Sequence, residues 1–304
     1  MSLPSIELLL HTGLPVVVCA RPWAQDLLAA YPLAGFVPMT SSWRTNRAAV
    51  RQHLKQSRQP APRGLLLPDS LSSALSFRFA GIPCAGYRDD GRSLILRWPC
   101  RKPDASLHAV QSWHYLTRYA LKHWQLPVAH TEPAPELNWR PTALHEQQAA
   151  NIMAKAGLAS GRFVLIAPTA TGLHKGRIKA WTGFDSLSQS LQARGFTVVM
   201  APPAGEQAAA QAAAPSVQLL PAMGLGTFAV LTHAAGLVVC NDSGVSHLAA
   251  AARARQITLF GVTDPLRTGP WSNQATRLGK LDHWPSAPDV LNTALTLMEN
   301  VSSA

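Results

Sequence analysis

The stretch Leu237-Val-Val-Cys-Asn-Asp-Ser-Gly-Val-Ser-His-Leu-Ala-Ala-Ala-Ala252 decides the fold class. Its apolar start, 237–240, reads as a buried strand, Asn241 to Gly244 supply turn residues, and an alanine-rich helix begins near Val245. A strand that runs through a tight turn into a helix is the unit of a parallel sheet with crossover helices. The turn aims backbone N–H groups, those of Gly244 and Val245 among them, and the positive end of the helix dipole beyond the strand, an arrangement that favours phosphate. Ser243 adds a hydroxyl, His247 an imidazole in the first helical turn, and Asp242 a carboxylate able to accept from sugar hydroxyls. The plainer reading of the same residues is that Asp242 and Ser243 cap the helix and His247 is a satisfied histidine.

The same unit repeats outward in both directions. Short apolar runs bounded by Gly and Pro fall at 16–19, 64–67 and 82–86 in the first half, and at 163–167, 197–200, 237–240 and 256–260 in the second. Alanine-rich stretches with helical spacing lie between them. An α/β protein of two Rossmann-like domains follows. The Pro-rich stretch 126–141 reads as a loop and 142–158 as a helix leading into the second domain, which places the domains at 1–158 and 159–304. A last helix at 287–298 carries Val290, Leu291, Ala294, Leu295 and Met298 on one face.

Composition narrows the function classes. The 304 residues are 47% hydrophobic and 14% charged, a globular balance with room for two cores. A formal charge of +11 calls for an anionic partner: a nucleic acid, a membrane surface or a phosphorylated substrate. Cys19, Cys84, Cys100 and Cys240 are widely separated, form no C-x-x-C pair and suit a reducing cytoplasm, so neither a zinc site nor a disulfide framework is indicated. No apolar run is long enough to span a bilayer, and the start lacks the pattern of a signal peptide. The expectation is a cytoplasmic protein, soluble or attached to a membrane only at its surface. Recognisable nucleic-acid motifs are lacking, and few aromatics interleave with the basic residues, so a nucleic-acid role would rest on charge alone.

A second phosphate-facing loop follows the strand at 163–167. Pro168-Thr-Ala-Thr-Gly-Leu-His-Lys-Gly-Arg-Ile-Lys-Ala-Trp181 combines glycines that permit close backbone approach, the hydroxyls of Thr169 and Thr171, and the charges of Lys175, Arg177 and Lys179. An ordinary exposed basic loop is the competing account. Glu206 lies just past the strand at 197–200, at the sheet edge where nucleotides bind in this architecture, although an acidic residue opening a helix serves the dipole as well. Met223 follows another apolar run, where methionine is ordinarily core.

Taken together, Asn241-Asp-Ser-Gly-Val-Ser-His-Leu-Ala-Ala-Ala251, Ile257-Thr-Leu-Phe-Gly-Val-Thr-Asp-Pro265 and Thr268-Gly-Pro270 resemble the D-[TS]-G-x-x-H-L-x-A block and G-x-T-D-P sequel of glycosyltransferase family 9, the bacterial heptosyltransferases. Lys179-Ala-Trp181 resembles the family's K-x-W motif, with Thr182 where proline is often found. The resemblance implies two Rossmann-like domains facing across a cleft, of the GT-B type, and inverting transfer of heptose from ADP-heptose to the lipopolysaccharide inner core, a Kdo or heptose acceptor on lipid A. It implies a donor site in which Lys179 meets the phosphates, Glu206 the ribose and Met223 the adenine, beside Thr169, Thr171 and the turn from Asp242 to His247. In such enzymes the last helix often crosses back to the first domain. Beyond the nucleotide sugar no cofactor is implied, and magnesium cannot be read from the residues.

On the acceptor side, Arg63, Arg78, Arg88 and Arg92 flank the expected strands, and arginine forks suit the carboxylates of Kdo. Arg44, Arg47, Arg51, Lys55 and Arg58 share one face if their stretch is helical, a stripe fitted to anionic headgroups or inner-core phosphates, or simply a solvated face. Family members open with a strand and a G-D motif whose aspartate is taken as the general base. The expectation is that both lie upstream of Met1, since this chain starts within the corresponding helix. A nucleotide-sugar-binding pseudoenzyme or an inactive shortened copy is the alternative reading.

Overall fold

The computed structural model describes residues 1–57, 61–89, 91–103, 107–170, 172–174 and 176–302. The chain divides into two compact units, Met1–Ala134 and Pro135–Ala304. The boundary expected near residue 158 therefore falls inside the second unit: the helix read as a lead-in belongs to that unit's own core.

In unit 1 the elements run α1 (Leu3–Leu10), β1 (Val17–Ala20), α2 (Trp23–Leu27), β2 (Gly35–Pro38), α3 (Trp43–Ser57), β3 (Gly64–Leu66), α4 (Leu71–Arg78), β4 (Cys84–Tyr87), β5 (Trp98–Cys100) and α5 (Ala109–His123). All pairings are parallel, in a two-stranded sheet β1-β2 and a three-stranded sheet β3-β4-β5. Successive residues of β4 point to opposite faces: Cys84 joins a cluster with Val37, Val50, Leu66, Ala74 and Ile82 beneath α3 and α4, while Ala85 packs with Leu8 of α1 and Ala120 and Leu121 of α5. Helices thus cover both faces, as parallel strands require. Strands β2 and β5 lie outside the expected set, and each contains a proline, tolerated because both are edge strands.

Unit 2 contains α6 (Ala143–Lys155), β6 (Phe163–Ala167), a hairpin of β7 (Leu173–His174) and β8 (Arg177–Ile178), α7 (Phe184–Gln192), β9 (Thr197–Met200), α8 (Gln207–Ala213), β10 (Gln218–Leu219), α9 (Leu225–Ala234), β11 (Leu237–Asn241), α10 (Gly244–Ala251), β12 (Gln256–Leu259), α11 (Pro265–Thr268), β13 (Ala275–Leu278) and α12 (Ala287–Ser302). Its six-stranded sheet has the order β10-β9-β6-β11-β12-β13, parallel throughout. Strand order reverses between β6 and β11, the arrangement that opens a crevice at the carboxyl ends of those two strands. Alternation sorts the core: Val164, Ile166, Val198, Leu237, Val239 and Ile257 face α7 and α12, whereas Phe163, Leu165, Val199, Val238 and Cys240 face α9 and α10. Helix α6 packs on α9, where the His145 ring lies against Gly226 so closely that a Cβ there would meet it at 2.4 Å. Rather than leaving for unit 1, α12 sinks Val290, Ala294 and Met298 into the core of its own unit against Leu187 and Leu191. Among the described residues no helix is long and apolar enough to cross a membrane.

Candidate functional site

The crevice at the β6/β11 switch point is walled by three loops, and one side chain ties them together. Asn241, the last residue of β11, is fully buried; its Oδ1 accepts from the backbone N–H of Trp181 at 2.9 Å, and its Nδ2 donates to the carbonyls of Pro168 at 3.1 Å and Ala167 at 3.4 Å. An amide suits this place because it donates and accepts from one planar group. It joins the end of β6, the lysine loop and the turn before α10.

Asp242 follows, only 5% exposed. Oδ2 of its carboxylate accepts from the Thr263 hydroxyl at 2.5 Å and from the Thr268 hydroxyl at 3.0 Å, while its backbone carbonyl accepts from Lys179 Nζ at 3.0 Å. The lysine arrives there because Trp181, two residues on, is locked in place: its indole is buried, lies edge-on to Phe184 at 5.3 Å and donates from Nε1 to the Pro285 carbonyl at 3.0 Å. With one of three ammonium protons on Asp242 O, the others stay available to an anion at the mouth of the crevice.

Ser243 is the N-cap of α10, extended at φ −150° and ψ −176°, and its Oγ accepts from Val245 N at 3.3 Å. The capping reading therefore holds for Ser243, and the Val245 N–H, counted among the phosphate-facing amides, is already engaged in this conformation. Gly244 is different: a Cβ built there meets nothing within 4 Å, so open space lies over the turn. His247 sits partly buried in the first turn of the helix.

Across the switch point, Thr169 donates its hydroxyl to Glu206 Oε2 at 2.6 Å, which links the loop after β6 to the short turn between β9 and α8. Sequence reading proposed both residues independently. Met223 precedes α9, half-buried against the core face that includes Phe228 and Leu231. Arg177, offered as a phosphate partner, is ion-paired with Asp282 on the hairpin's exposed side. Thr171 and Lys175 lie outside the described residues. What sequence reading missed is the set holding the site together: Asn241, Thr263 and Thr268. Their residue types carry no charge, and although all three stand within stretches that resemble the family's motifs, none drew attention as a ligand group. Cys240, directly before Asn241, is buried and its thiol is pushed up to about 12 by desolvation, so it contributes no thiolate at neutral pH.

In unit 1 the proposed acceptor arginines separate. Arg78 and Arg88 are exposed, and Arg63 donates to the Trp124 carbonyl at 2.9 Å. Arg92 is no surface arm: its side chain is fully buried, 3.5 Å from Asp69, and a Cβ on Gly86 would meet its guanidinium at 2.7 Å. That placement is one of packing and charge pairing within the unit. The basic stripe does form on α3, with Arg44, Arg51 and Lys55 exposed and Arg47 donating from Nε to the Phe79 carbonyl; Arg58 lies outside the described residues.

Comparison with known proteins places this arrangement. The family model described as glycosyltransferase family 9 (heptosyltransferase) matches residues 47–295. Lipopolysaccharide heptosyltransferase 2 of Escherichia coli (strain K12) is 27% identical over 277 residues, covering 85% of this chain and 77% of the relative. Among solved structures, E. coli ADP-heptose lps heptosyltransferase II superposes with a TM-score of 0.74 at 22% identity over 99% of this chain and 96% of that one. E. coli heptosyltransferase WaaC with ADP gives 0.73 at 20% identity, over 97% and 95% of the two chains.

Proposed function

This chain belongs to glycosyltransferase family 9, and from that membership we propose that its second unit binds ADP-heptose and that the enzyme transfers the heptose to the inner core of lipopolysaccharide. The observation that carries the reading is the gathering of Thr169, Glu206, Lys179 and the Asp242 turn at the β6/β11 switch point, a site built for a sugar nucleotide. The similar E. coli heptosyltransferase WaaC has been solved with ADP and with ADP-2-deoxy-2-fluoro heptose, which supports the reading.

In this proposal the acceptor oxygen attacks the anomeric carbon on the face opposite the diphosphate. The bond from that carbon to the diphosphate breaks, and ADP departs with the electron pair. Lys179 and the open N-terminal turn of α10 stabilise the growing negative charge on the departing phosphate, where fixed donors act most strongly. Glu206, held by Thr169, meets the ribose hydroxyls, Met223 lies against the adenine, and Asp242 holds hydroxyls of the heptose. The acceptor hydroxyl loses its proton to a base, and no residue of unit 2 is assigned that role. The reading calls for no redox or prosthetic group.

On the acceptor side, the exposed Arg78 and Arg88 pair with Kdo carboxylates, and the α3 stripe meets the phosphates of an anionic membrane surface from the cytoplasmic side. Replacing Arg44, Arg51 and Lys55 with glutamine lowers binding to phosphatidylglycerol vesicles and flattens its salt dependence; unchanged binding leaves the stripe a solvated face.

The test of the donor is calorimetry with ADP, ADP-heptose, UDP and UDP-N-acetylglucosamine, followed by mass spectrometry of a Kdo-lipid A acceptor incubated with each sugar nucleotide. Preference for ADP and ADP-heptose, with a heptose-sized mass gain, is the expected result. Equal or tighter binding of the uridine series would overturn it.

A further inference from the structure

We propose that Thr263 and Thr268 are positioning residues that fix one oxygen of the Asp242 carboxylate and so determine how the sugar half of the donor is held. The inference rests on the donor-site reading and deepens it. Both hydroxyls converge on the same atom, Oδ2, Thr263 at 2.5 Å and Thr268 at 3.0 Å, from a segment that contributes nothing else described to the site. No described bond falls on Oδ1, which is left to accept from a ligand hydroxyl. Two donors on one oxygen set both the rotation of the carboxylate and the direction of its remaining lone pairs, and bonds to an ionised acceptor are the strong class.

The segment carrying the threonines is itself held rigidly. Asp264 caps α11 by accepting from Leu266 N at 3.0 Å. Gly261 lies flat against Trp284, where a Cβ would come within 2.0 Å of the indole, and Gly269 packs on the Pro265 carbonyl and the Arg277 guanidinium. Phe260 N donates to Leu278 O at 2.8 Å, which continues the β12/β13 register up to the loop. The threonine hydroxyls are thus offered from a fixed frame, and β-branching narrows their rotamers further. Thr268 also lies 3.1 Å from the Asp264 carbonyl, but one hydroxyl proton serves one acceptor at a time and the charged carboxylate is the stronger. Thr263 is buried and Thr268 partly so, which keeps water from replacing them on Oδ2.

The consequence is selective. Fixing the Asp242 carboxylate matters to whatever meets that carboxylate, and not to the adenosine diphosphate held by Thr169, Glu206 and Lys179. The experiment is calorimetry on the full chain with ADP and with ADP-heptose, for wild type, Thr263→Val, Thr268→Val, the double variant, and Thr263→Ser and Thr268→Ser. Valine keeps the shape and removes the donor; serine keeps the donor. The expected result is ADP affinity within about twofold of wild type in every variant, ADP-heptose affinity lower by about tenfold in each valine variant, and recovery in the serine variants. Equal losses for ADP and ADP-heptose would reduce the threonines to structural supports and overturn the proposal. So would valine variants that bind both ligands like wild type, a result that leaves the donor site itself standing. If wild type binds neither ligand, the donor-site reading fails and the positioning role fails with it.

Discussion

Replacing Lys179 with alanine isolates the charge that the proposed donor site offers to a diphosphate. In the free protein one ammonium proton bonds the Asp242 carbonyl at 3.0 Å, and the side chain is partly exposed. Two unit charges about 4 Å apart at an effective dielectric near 20 attract by roughly 4 kcal/mol, which is a ceiling. Exposure and the competing carbonyl reduce it, and a charge-assisted hydrogen bond within a site contributes about 1.5 to 3 kcal/mol. ADP affinity should therefore fall about 10- to 150-fold by calorimetry. Adenosine, which lacks phosphate, should bind Lys179→Ala and wild type alike, and Lys179→Arg should retain most of the ADP affinity. The variant should also lose the steep fall of ADP binding with ionic strength. Stability changes by no more than about 1 kcal/mol, since only one surface-facing bond to a carbonyl is lost. An ADP affinity unchanged in Lys179→Ala refutes the reasoning and leaves the lysine a tether of the turn; an equal loss of adenosine affinity would refute it too, by showing that the whole pocket had been disturbed.

Asn241→Ala should be the most destabilising change at the site, by about 2 to 4 kcal/mol in denaturant unfolding, because it orphans the buried Trp181 N–H and the Pro168 carbonyl together; a cost below about 0.5 kcal/mol would show that the three loops hold without it. Glu206→Gln retains an acceptor for the Thr169 hydroxyl but loses the charge, so binding of ADP and AMP should weaken by about tenfold while pyrophosphate competition stays unchanged; equal weakening of pyrophosphate would move Glu206 away from the ribose. Alkali should destabilise the fold through its thiols. Burial pushes Cys84 and Cys240 up to about 12 and Cys19 and Cys100 up to about 11, from an ordinary value of 9.0, so their contribution is complete below pH 9 and disappears as pH rises through 11 to 12. Urea midpoints should match at pH 7 and 8 and fall above about pH 9.5, and a midpoint flat to pH 11 would contradict the burial of these groups.

The core of unit 2 was legible because its strands are short, continuous apolar runs placed directly before turns. The runs at 163–167, 197–200 and 237–240 each became a strand within a residue of the expected limits, since a strand covered on both faces leaves no polar alternation to misread. Edge strands were not legible for the same reason. Ala275-Thr-Arg-Leu278 and Trp98-Pro-Cys100 hold their places through a neighbour's backbone on one side only, so sequence alone shows a charge or a proline where a strand is supposed to be apolar. The helix at Ala143–Lys155 was recognised as a helix and given to the wrong side of the boundary, because what assigns it to unit 2 is a fit of His145 against Gly226, far apart in sequence.

The site divides along a similar line. Residues that can offer charge to a ligand stand out in a sequence, and the resemblance to the family then gave Lys179 and Glu206 their expected roles, while residues whose work is to aim such groups are neutral and common. Arg92 is the converse case: an arginine beside a strand end looks like a ligand arm, yet here the guanidinium fills the space left by Gly86 and faces Asp69 from inside the unit. Asn241 is a neutral residue at the end of a strand, yet three loops depend on it. Because that one amide holds the Trp181 backbone, and Trp181 stands two residues from Lys179, the lysine's aim at the mouth of the crevice is set from the buried end of β11. The Lys179 ammonium and the Asp242 carboxylate are accordingly anchored at consecutive residues, 241 and 242, so in the proposed donor site a shift of the β11 end moves both halves of the contact together.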